Sequence, residues 1–264
     1  MPDNREIALH GLNYLKGRLK RNTQLTEAYF NAMKRNLELG YIERAIGEVE
    51  KEQPLWYLPY HPVINPKKPQ KIRVVFDCAA KCAGIALNDR LLQGPDLTTP
   101  LIEVLCRFRL ESVAVAADIE EMFTQVKVTE GQRDALPLWW WPDGDLDGPV
   151  QEYRMTVHPF GAISSPFCAN FALKTTVNKF TQRFETPVGS CVEHNFYVDD
   201  FLGSFDSIEE AVRYIRNLSK LLPMGRFKLT RWMSNNRHVI NDERAPSLRE
   251  LHESPLPTDR ALGM

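Results

Sequence analysis

The chain has 264 residues, with 33 Lys and Arg against 34 Asp and Glu, a formal net charge of -1, and 43% hydrophobic and 10% aromatic residues. This balance excludes a disordered chain and carries no global nucleic-acid signature, although it is compatible with a local basic channel facing a carboxylate site. Apolar runs such as Val113-Ala114-Val115-Ala116-Ala117 fall far short of the ~20 residues a bilayer crossing needs, and Met1-Pro2-Asp3-Asn4-Arg5-Glu6 lacks a signal peptide's apolar stretch. Five scattered cysteines (Cys78, Cys82, Cys106, Cys168, Cys191) lack a second Cys/His pair at zinc-site spacing and read as reduced, mostly buried thiols.

From Arg5 to about Glu52 the apolar residues fall at helical spacing, Ala8, Leu12, Leu15 and Leu19 in one run and Leu25, Tyr29, Met33 and Leu37 in the next. Two amphipathic helices are expected, the second capped at Asn22-Thr23 and stopped at Gly40. Prolines at 54, 59, 62, 66 and 69 then exclude helix. Lys71-Ile72-Arg73-Val74-Val75-Phe76-Asp77 reads as a strand whose period of two puts both cations on one face.

Thr98-Thr99-Pro100 reads as a cap with Pro at the first helical position, opening a helix through Leu101, Val104, Leu105 and Phe108. Ser112 to Ala117 is an apolar strand ending on Asp118. Leu138 to Trp141 and Gln151 to Val157 flank a turn-rich segment and predict a long hairpin. Ser165-Pro166 reads as the cap and first position of a helix through Val177. Asn195 to Val198 and Phe201 to Ser204 form short arms around Asp199-Asp200, a hairpin with acids at its tip. Ser207 opens a helix to Leu222, Phe227 to Met233 is a last strand, and a polar tail from Asp242 is expected to fray.

An acid at the end of a buried strand, Asp118, and an acidic pair on a hairpin, Asp199-Asp200, are the informative features. By itself the dipeptide reads as a solvated turn. Carboxylates gathered at strand ends repel one another unless a cation neutralises them. Two divalent metals held by shared carboxylates meet that need and serve an in-line phosphoryl displacement, and Mg²⁺ suits hard oxygen ligands. Lone histidines at 61, 158 and 194 read as structural groups, and Arg213, Arg216 and Lys220 as a solvated helix face.

Phe196-Tyr197-Val198-Asp199-Asp200 resembles the Tyr-x-Asp-Asp box of reverse transcriptases, and Asp118 to Phe123 resembles their first catalytic block, an acid followed five positions on by an aromatic. Val157 to Pro166 is similar to the block opening the helix beneath the template, and Lys71 to Asp77 to the fingers strand. More narrowly, Tyr57-Leu58-Pro59-Tyr60-His61-Pro62-Val63, Arg73 to Asp77, Leu87-Asn88-Asp89, Gly94-Pro95-Asp96-Leu97 and Arg231-Trp232-Met233-Ser234-Asn235 resemble the BEL/Pao group of LTR retrotransposons.

The resemblance implies an α+β right-hand polymerase, with fingers and an antiparallel palm sheet backed by helices. The likeness covers roughly Trp56 to Asn236. With the helical spacing before it and the polar composition after it, the chain is expected to divide into an N-terminal helical segment at 1–53, fingers and palm at 54–236 and a polar tail at 237–264. The resemblance further implies that Asp118 and Asp199 ligate two Mg²⁺, for which Mn²⁺ substitutes, with Asp200 beside them and the Ile119 carbonyl completing one site. Arg73, with Lys71 nearby, would grip the incoming deoxynucleoside triphosphate, Phe123 would exclude a 2′-hydroxyl, and Gly161 would let the backbone approach the nucleotide. Phe160 replaces the Gln usual in retroviral enzymes, which leaves its contact to the nucleotide open.

Either Lys228 or Arg231 would supply a cation near the pyrophosphate, and spacing does not choose between them. Expected partners are an RNA or DNA template-primer duplex, deoxynucleoside triphosphates and the downstream thumb and RNase H regions of a polyprotein, with no membrane. A full thumb or RNase H domain is not expected within this chain, which ends about thirty residues after Ser234. The implied location is an intracellular, cytoplasmic retroelement particle. Two other readings are an RNA-dependent RNA polymerase, disfavoured by Phe123, and a truncated or adopted fragment that only binds nucleic acid or a partner.

Overall fold

The computed structural model describes residues 1–45, 56–65, 68–184, 187–240 and 249–250. In chain order its elements are α1 (Arg5–Leu19), α2 (Thr23–Glu38), β1 (Ile42–Arg44), β2 (Tyr60–Asn65), β3 (Lys68–Phe76), β4 (Lys81–Cys82), β5 (Ile85–Ala86), α3 (Leu101–Arg107), β6 (Val113–Ile119), β7 (Pro137–Trp140) and β8 (Gln151–Met155). There follow α4 (Ser165–Phe180), α5 (Val188–Asn195), β9 (Phe196–Tyr197), β10 (Asp200–Phe205), α6 (Ile208–Leu221), β11 (Leu229–Ser234), α7 (Arg237–Ile240) and β12 (Arg249–Glu250). They fall into two compact units, Met1–Gln93 with Val126–Ser165, and Gly94–Gln125 with Pro166–Met264. The expected boundary at 53/54, the side chain of Lys71 and most of the tail after Asp242 lie outside the described residues.

In the first unit, α1 buries Ala8, Leu12, Leu15 and Leu19 and α2 buries Leu25, Tyr29 and Met33, one apolar stripe each. The Asn22 side chain accepts a hydrogen bond from the Leu25 N–H at 3.0 Å, and Gly40 leaves the helix in the left-handed conformation at φ 66°. The stop expected at Gly40 is found, and residues 46–52 of the region read at helical spacing lie outside the described residues. Ile42 to Arg44 instead pair with β8, which pairs with β7 in an antiparallel sheet of order β1-β8-β7.

Tyr29 stacks on Trp140 with ring centroids 5.5 Å apart, and both lie in a core with Leu138, Trp141, Tyr153 and Met155. Beside this, β2 and β3 form an antiparallel ribbon from Tyr60↔Phe76 to Ile64↔Ile72. Pro62 is tolerated in it because a two-stranded ribbon has edges that need no donor.

Asn4 holds the entry to this unit. Its amide donates to the Tyr57 carbonyl at 2.7 Å and accepts from the Tyr57 N–H at 2.8 Å, and the side chain is buried. Both backbone groups of a segment 53 residues away are thus satisfied by one amide.

In the second unit β6 is the central strand of a five-stranded sheet, order β12-β11-β6-β10-β9. All pairs are antiparallel except β11 with β12. Burial on both faces, at Val113, Val115, Ala116 and Ala117, explains why Val113 to Ala117 read as one continuous apolar run, and Ile119 beyond Asp118 is buried too. On one face Val104 of α3 packs against Ala116 and Leu202, and on the other Phe205 packs against Tyr214 of α6.

Two expected caps differ in detail. Pro100 rather than Thr99 is the N-cap residue of α3, and the Thr99 hydroxyl donates to the Glu193 carbonyl instead. The Ser165 hydroxyl donates to the Pro159 carbonyl at 2.7 Å, so it anchors the preceding loop rather than a helical N–H. The α5 helix, Val188–Asn195, has no signature in the sequence because its eight residues are too few to show a helical period. The cysteines are all free, as expected, but only Cys78 is fully buried and Cys106 is exposed. Burial pushes the Cys78 thiol up to about 12.

Replacing Asn4 by Ala leaves the Tyr57 N–H and carbonyl without partners in a buried site. The expected loss of unfolding free energy is about 2 kcal/mol, measured by urea denaturation, and an unchanged midpoint would refute the role.

Candidate active site

The three acids named from the sequence all lie in the second unit. Asp118 is the penultimate residue of β6, before the buried Ile119, Asp200 opens β10, and the two face each other in register across the ladder. Ala116 pairs with Leu202 two residues earlier, so the acids share the face on which α3 packs, one pleat beyond its contact with Ala116 and Leu202. Asp199 lies in the two-residue turn joining β9 to β10, where Tyr197 pairs with Asp200. Its carbonyl accepts the Ile119 N–H at 2.8 Å, which ties the hairpin tip to the end of β6.

Val198, the first residue of that turn, has φ 55°. Two-residue hairpin turns with positive φ at this position normally carry glycine, and a β-branched residue there is strained by about 1–3 kcal/mol. Glu121 at φ 51° and Arg231 at φ 52° are strained in the same way. Half of the six non-glycine residues with positive φ among the described residues therefore lie around Asp118 and the acidic hairpin.

Arg231 owes its conformation to a bulge. Thr230 pairs with Asp118 and Met233 with Ala116, so Arg231 and Trp232 together oppose Ala117. The first position of such a bulge is commonly glycine in the left-handed conformation, and here Arg231 occupies it. Regular pairing at Thr230 and the bulge at Arg231 bring two groups to one carboxylate. The Thr230 hydroxyl donates to Asp118 Oδ1 at 2.8 Å, and an Arg231 guanidinium nitrogen lies 3.3 Å from Oδ2.

Between the two cations left open by spacing, Arg231 is thus the one that meets Asp118. Lys228 pairs instead with Glu120 at 3.3 Å, where both side chains are well exposed and the pair contributes little. The rest of the Arg231 to Asn235 motif has a plain structural use. Trp232 meets Phe201 edge-on at 6.1 Å, the Ser234 hydroxyl donates to the Ala114 carbonyl, and the Asn235 amide accepts from the Ala114 N–H and donates to the Ser112 carbonyl. These bonds stitch β11 to the start of β6.

Phe123, half-buried, stands in the short 3₁₀ turn Met122–Gln125 that follows β6 in the same unit. Lys71, Arg73, Phe160 and Gly161 belong to the other unit. Arg73 is exposed on β3 opposite Val63, and Phe160 is exposed at 62%. Gly161 has φ 111°, and a Cβ there would sit 2.6 Å from the Phe76 carbonyl oxygen, so the fold itself requires glycine. Asn88 clasps this loop, donating to the Gly161 carbonyl and accepting from the Ile163 N–H, both at 3.0 Å.

Neither Thr230 nor Asn88 is among the site residues expected from the sequence, where Thr230 only precedes the Arg231 to Asn235 motif and Asn88 lies within Leu87-Asn88-Asp89. Among the described residues no three His, Cys, Asp or Glu side chains converge as a group able to hold a metal ion. Of the histidines, His61 and His194 are exposed, and burial holds the His158 imidazole below its ordinary value of 6.5. No helix among the described residues is long and apolar enough to cross a membrane.

Val198→Gly removes a side chain from a backbone conformation that glycine adopts freely. Relief of strain outweighs the entropy of the added glycine, and unfolding free energy is expected to rise by about 1 kcal/mol. Chemical denaturation checks it, and a clear loss would show that packing of the valine dominates.

No protein-family model and no curated protein sequence matches the chain. Solved structures do. The foamy viral protease-reverse transcriptase in complex with dsDNA superposes with a TM-score of 0.56 at 16% identity, covering 79% of this chain and 37% of that one. The prototype foamy virus protease-reverse transcriptase gives a TM-score of 0.56 at 17% identity, covering 79% of this chain and 24% of that one. The chain therefore spans roughly a quarter to somewhat over a third of the solved chains it resembles. The fold is α+β, with helices and antiparallel sheets arranged as in part of the foamy viral protease-reverse transcriptase.

Proposed function

We propose that this chain is the fingers and palm of an RNA-directed DNA polymerase of a BEL/Pao-type LTR retrotransposon. The observation that carries this reading is the pairing of Asp118 with Asp200 across β6 and β10, with Asp199 in the adjoining turn, on a fold shared with reverse transcriptases. The reaction would be attack of a primer 3′-hydroxyl on the α-phosphorus of a deoxynucleoside triphosphate, with pyrophosphate released. A template-primer duplex is the proposed macromolecular partner, and the dsDNA held by the solved foamy viral protein supports it.

The donor set suits Mg²⁺. Asp118, Asp199 and Asp200 offer hard carboxylate oxygens, and Mg²⁺ is commonly held by one or two carboxylates with substrate phosphates and water rather than by a protein cage. That Asp118 already meets a positive guanidinium is in keeping with a carboxylate that needs a counter-charge. Asp118 and Asp199 would be the shared ligands, with Asp200 and the Ile119 carbonyl beside them. The metals would supply charge neutralisation of the triphosphate and a more acidic primer hydroxyl.

The chain's own contribution is positioning. Thr230 fixes the orientation of Asp118, and the Asp199 carbonyl to Ile119 bond fixes the hairpin tip. Arg73, with Lys71, would bind the triphosphate, for which a rigid guanidinium is suited. Phe123 would pack under the sugar and refuse a 2′-hydroxyl by sterics. Gly161 and Phe160 would border the nucleotide.

Primer extension on an RNA template with deoxynucleotides and Mg²⁺ or Mn²⁺ at low salt tests the reading. Asp199→Asn is expected to reduce incorporation at least 10³-fold while leaving thermal stability nearly unchanged, because it removes a metal ligand and relieves carboxylate repulsion. Incorporation equal to wild type would overturn the assignment. Duplex binding without incorporation by the wild-type chain would point to a binding-only fragment. Phe123→Ala is expected to admit ribonucleotides, and unchanged sugar selectivity in the same assay would remove Phe123 from the site.

A further inference from the structure

The Asp118 carboxylate is engaged on both oxygens by consecutive residues of β11, one regularly paired and one in the bulge, and the two contacts differ in kind. Thr230 Oγ1 is a neutral donor, 2.8 Å from Oδ1, fixed on the residue paired with Asp118 itself. Arg231 is a cation on a long side chain, 3.3 Å from Oδ2, and 67% of its side chain is exposed while that of Asp118 is only 16% exposed. A guanidinium so exposed swings into water at little cost, whereas the carboxylate stays where Thr230 holds it.

We propose that Arg231 competes with a divalent cation for Asp118. The guanidinium holds Oδ2 as an internal counter-ion, and metal entry is an exchange of one cation for another. This rests on the reading of Asp118 as a metal ligand. The backbone supports the assignment, because Arg231 occupies a strained φ of 52° where glycine is usual, and that conformation belongs to the bulge that brings its side chain to Asp118. The pair is also weak enough to give way. An ion pair with one partner this exposed is screened by solvent, and its loss changes an equilibrium by about two- to fivefold. Lys228, paired with Glu120, is a nearby cation that makes no such contact and serves as the control.

The test is equilibrium binding of Mn²⁺ to the full chain without nucleic acid or nucleotide, by isothermal titration calorimetry and by loss of the free-ion electron spin resonance signal. Arg231→Gln is expected to bind Mn²⁺ about two- to fivefold more tightly than wild type, Arg231→Lys to stay near wild type, and Lys228→Gln to show no such gain. Arg231→Gly removes the same charge in a residue suited to the bulge, so it gives the same gain even where the Gln variant folds poorly. Asp118→Asn is expected to abolish the gain and most of the binding.

If Asp118→Asn lowers binding while Arg231→Gln and Arg231→Gly leave it unchanged or weaker, the exchange is refuted and the metal reading stands. If Lys228→Gln tightens binding as much as Arg231→Gln, or Arg231→Lys behaves as Gln does, the effect is general charge or backbone relief and the exchange is refuted. If Asp118→Asn leaves Mn²⁺ binding at the wild-type level, the metal reading itself fails and the exchange falls with it.

Discussion

A carboxylate at the end of an apolar strand sets the terms for the second unit. β6 is buried on both faces, and such a strand tolerates a charge only where it emerges and only with partners. Asp118 stands one residue from the end of the strand, its side chain 16% exposed, with a hydroxyl on one oxygen and a guanidinium on the other. The neighbouring elements serve this placement. β10 brings a second acid into register with it, the turn before β10 bonds back to Ile119, and β11 bulges where it passes Asp118.

The strain in this region follows from the same arrangement. A regular β11 would keep period two past Asp118, and the side chain after Thr230 would leave on the other face. The extra residue breaks that alternation and returns a cation to the acid, at the expense of a non-glycine residue in the left-handed region. The valine in the acidic turn is a second such concession. Strained backbone is held in place by well-bonded surroundings. The Ser234 and Asn235 bonds to Ser112 and Ala114 provide them on the β11 side.

Most elements were legible because their periods are long or their punctuation strong. The stripes of α1, α2 and α6, the stop at Gly40, the alternation of Tyr153, Met155 and Val157 and the apolar run of β6 each gave their element directly. What stayed hidden was short or relational. β1 has three residues, α5 has eight, and neither is long enough to show a period. The bulge in β11 is invisible in Leu229 to Ser234 because it is defined by what lies opposite. For the same reason spacing left Lys228 and Arg231 equivalent, while the ladder separates them, one reaching Glu120 and the other Asp118. The acids themselves were legible as residues, and their register across β6 and β10 was not.

The glycine at 161 carries a different lesson. The space its side chain would need is filled by the Phe76 carbonyl, an atom of the β2–β3 ribbon, and Asn88 clamps the loop through its bonds to Gly161 and Ile163. Any larger residue would push on the backbone of that ribbon whether or not a nucleotide is ever bound. Selection on folding alone would therefore keep residue 161 a glycine, whatever becomes of the acids at 118 and 199. A glycine at this position thus reports on the folding of its own unit and not on any chemistry in the other.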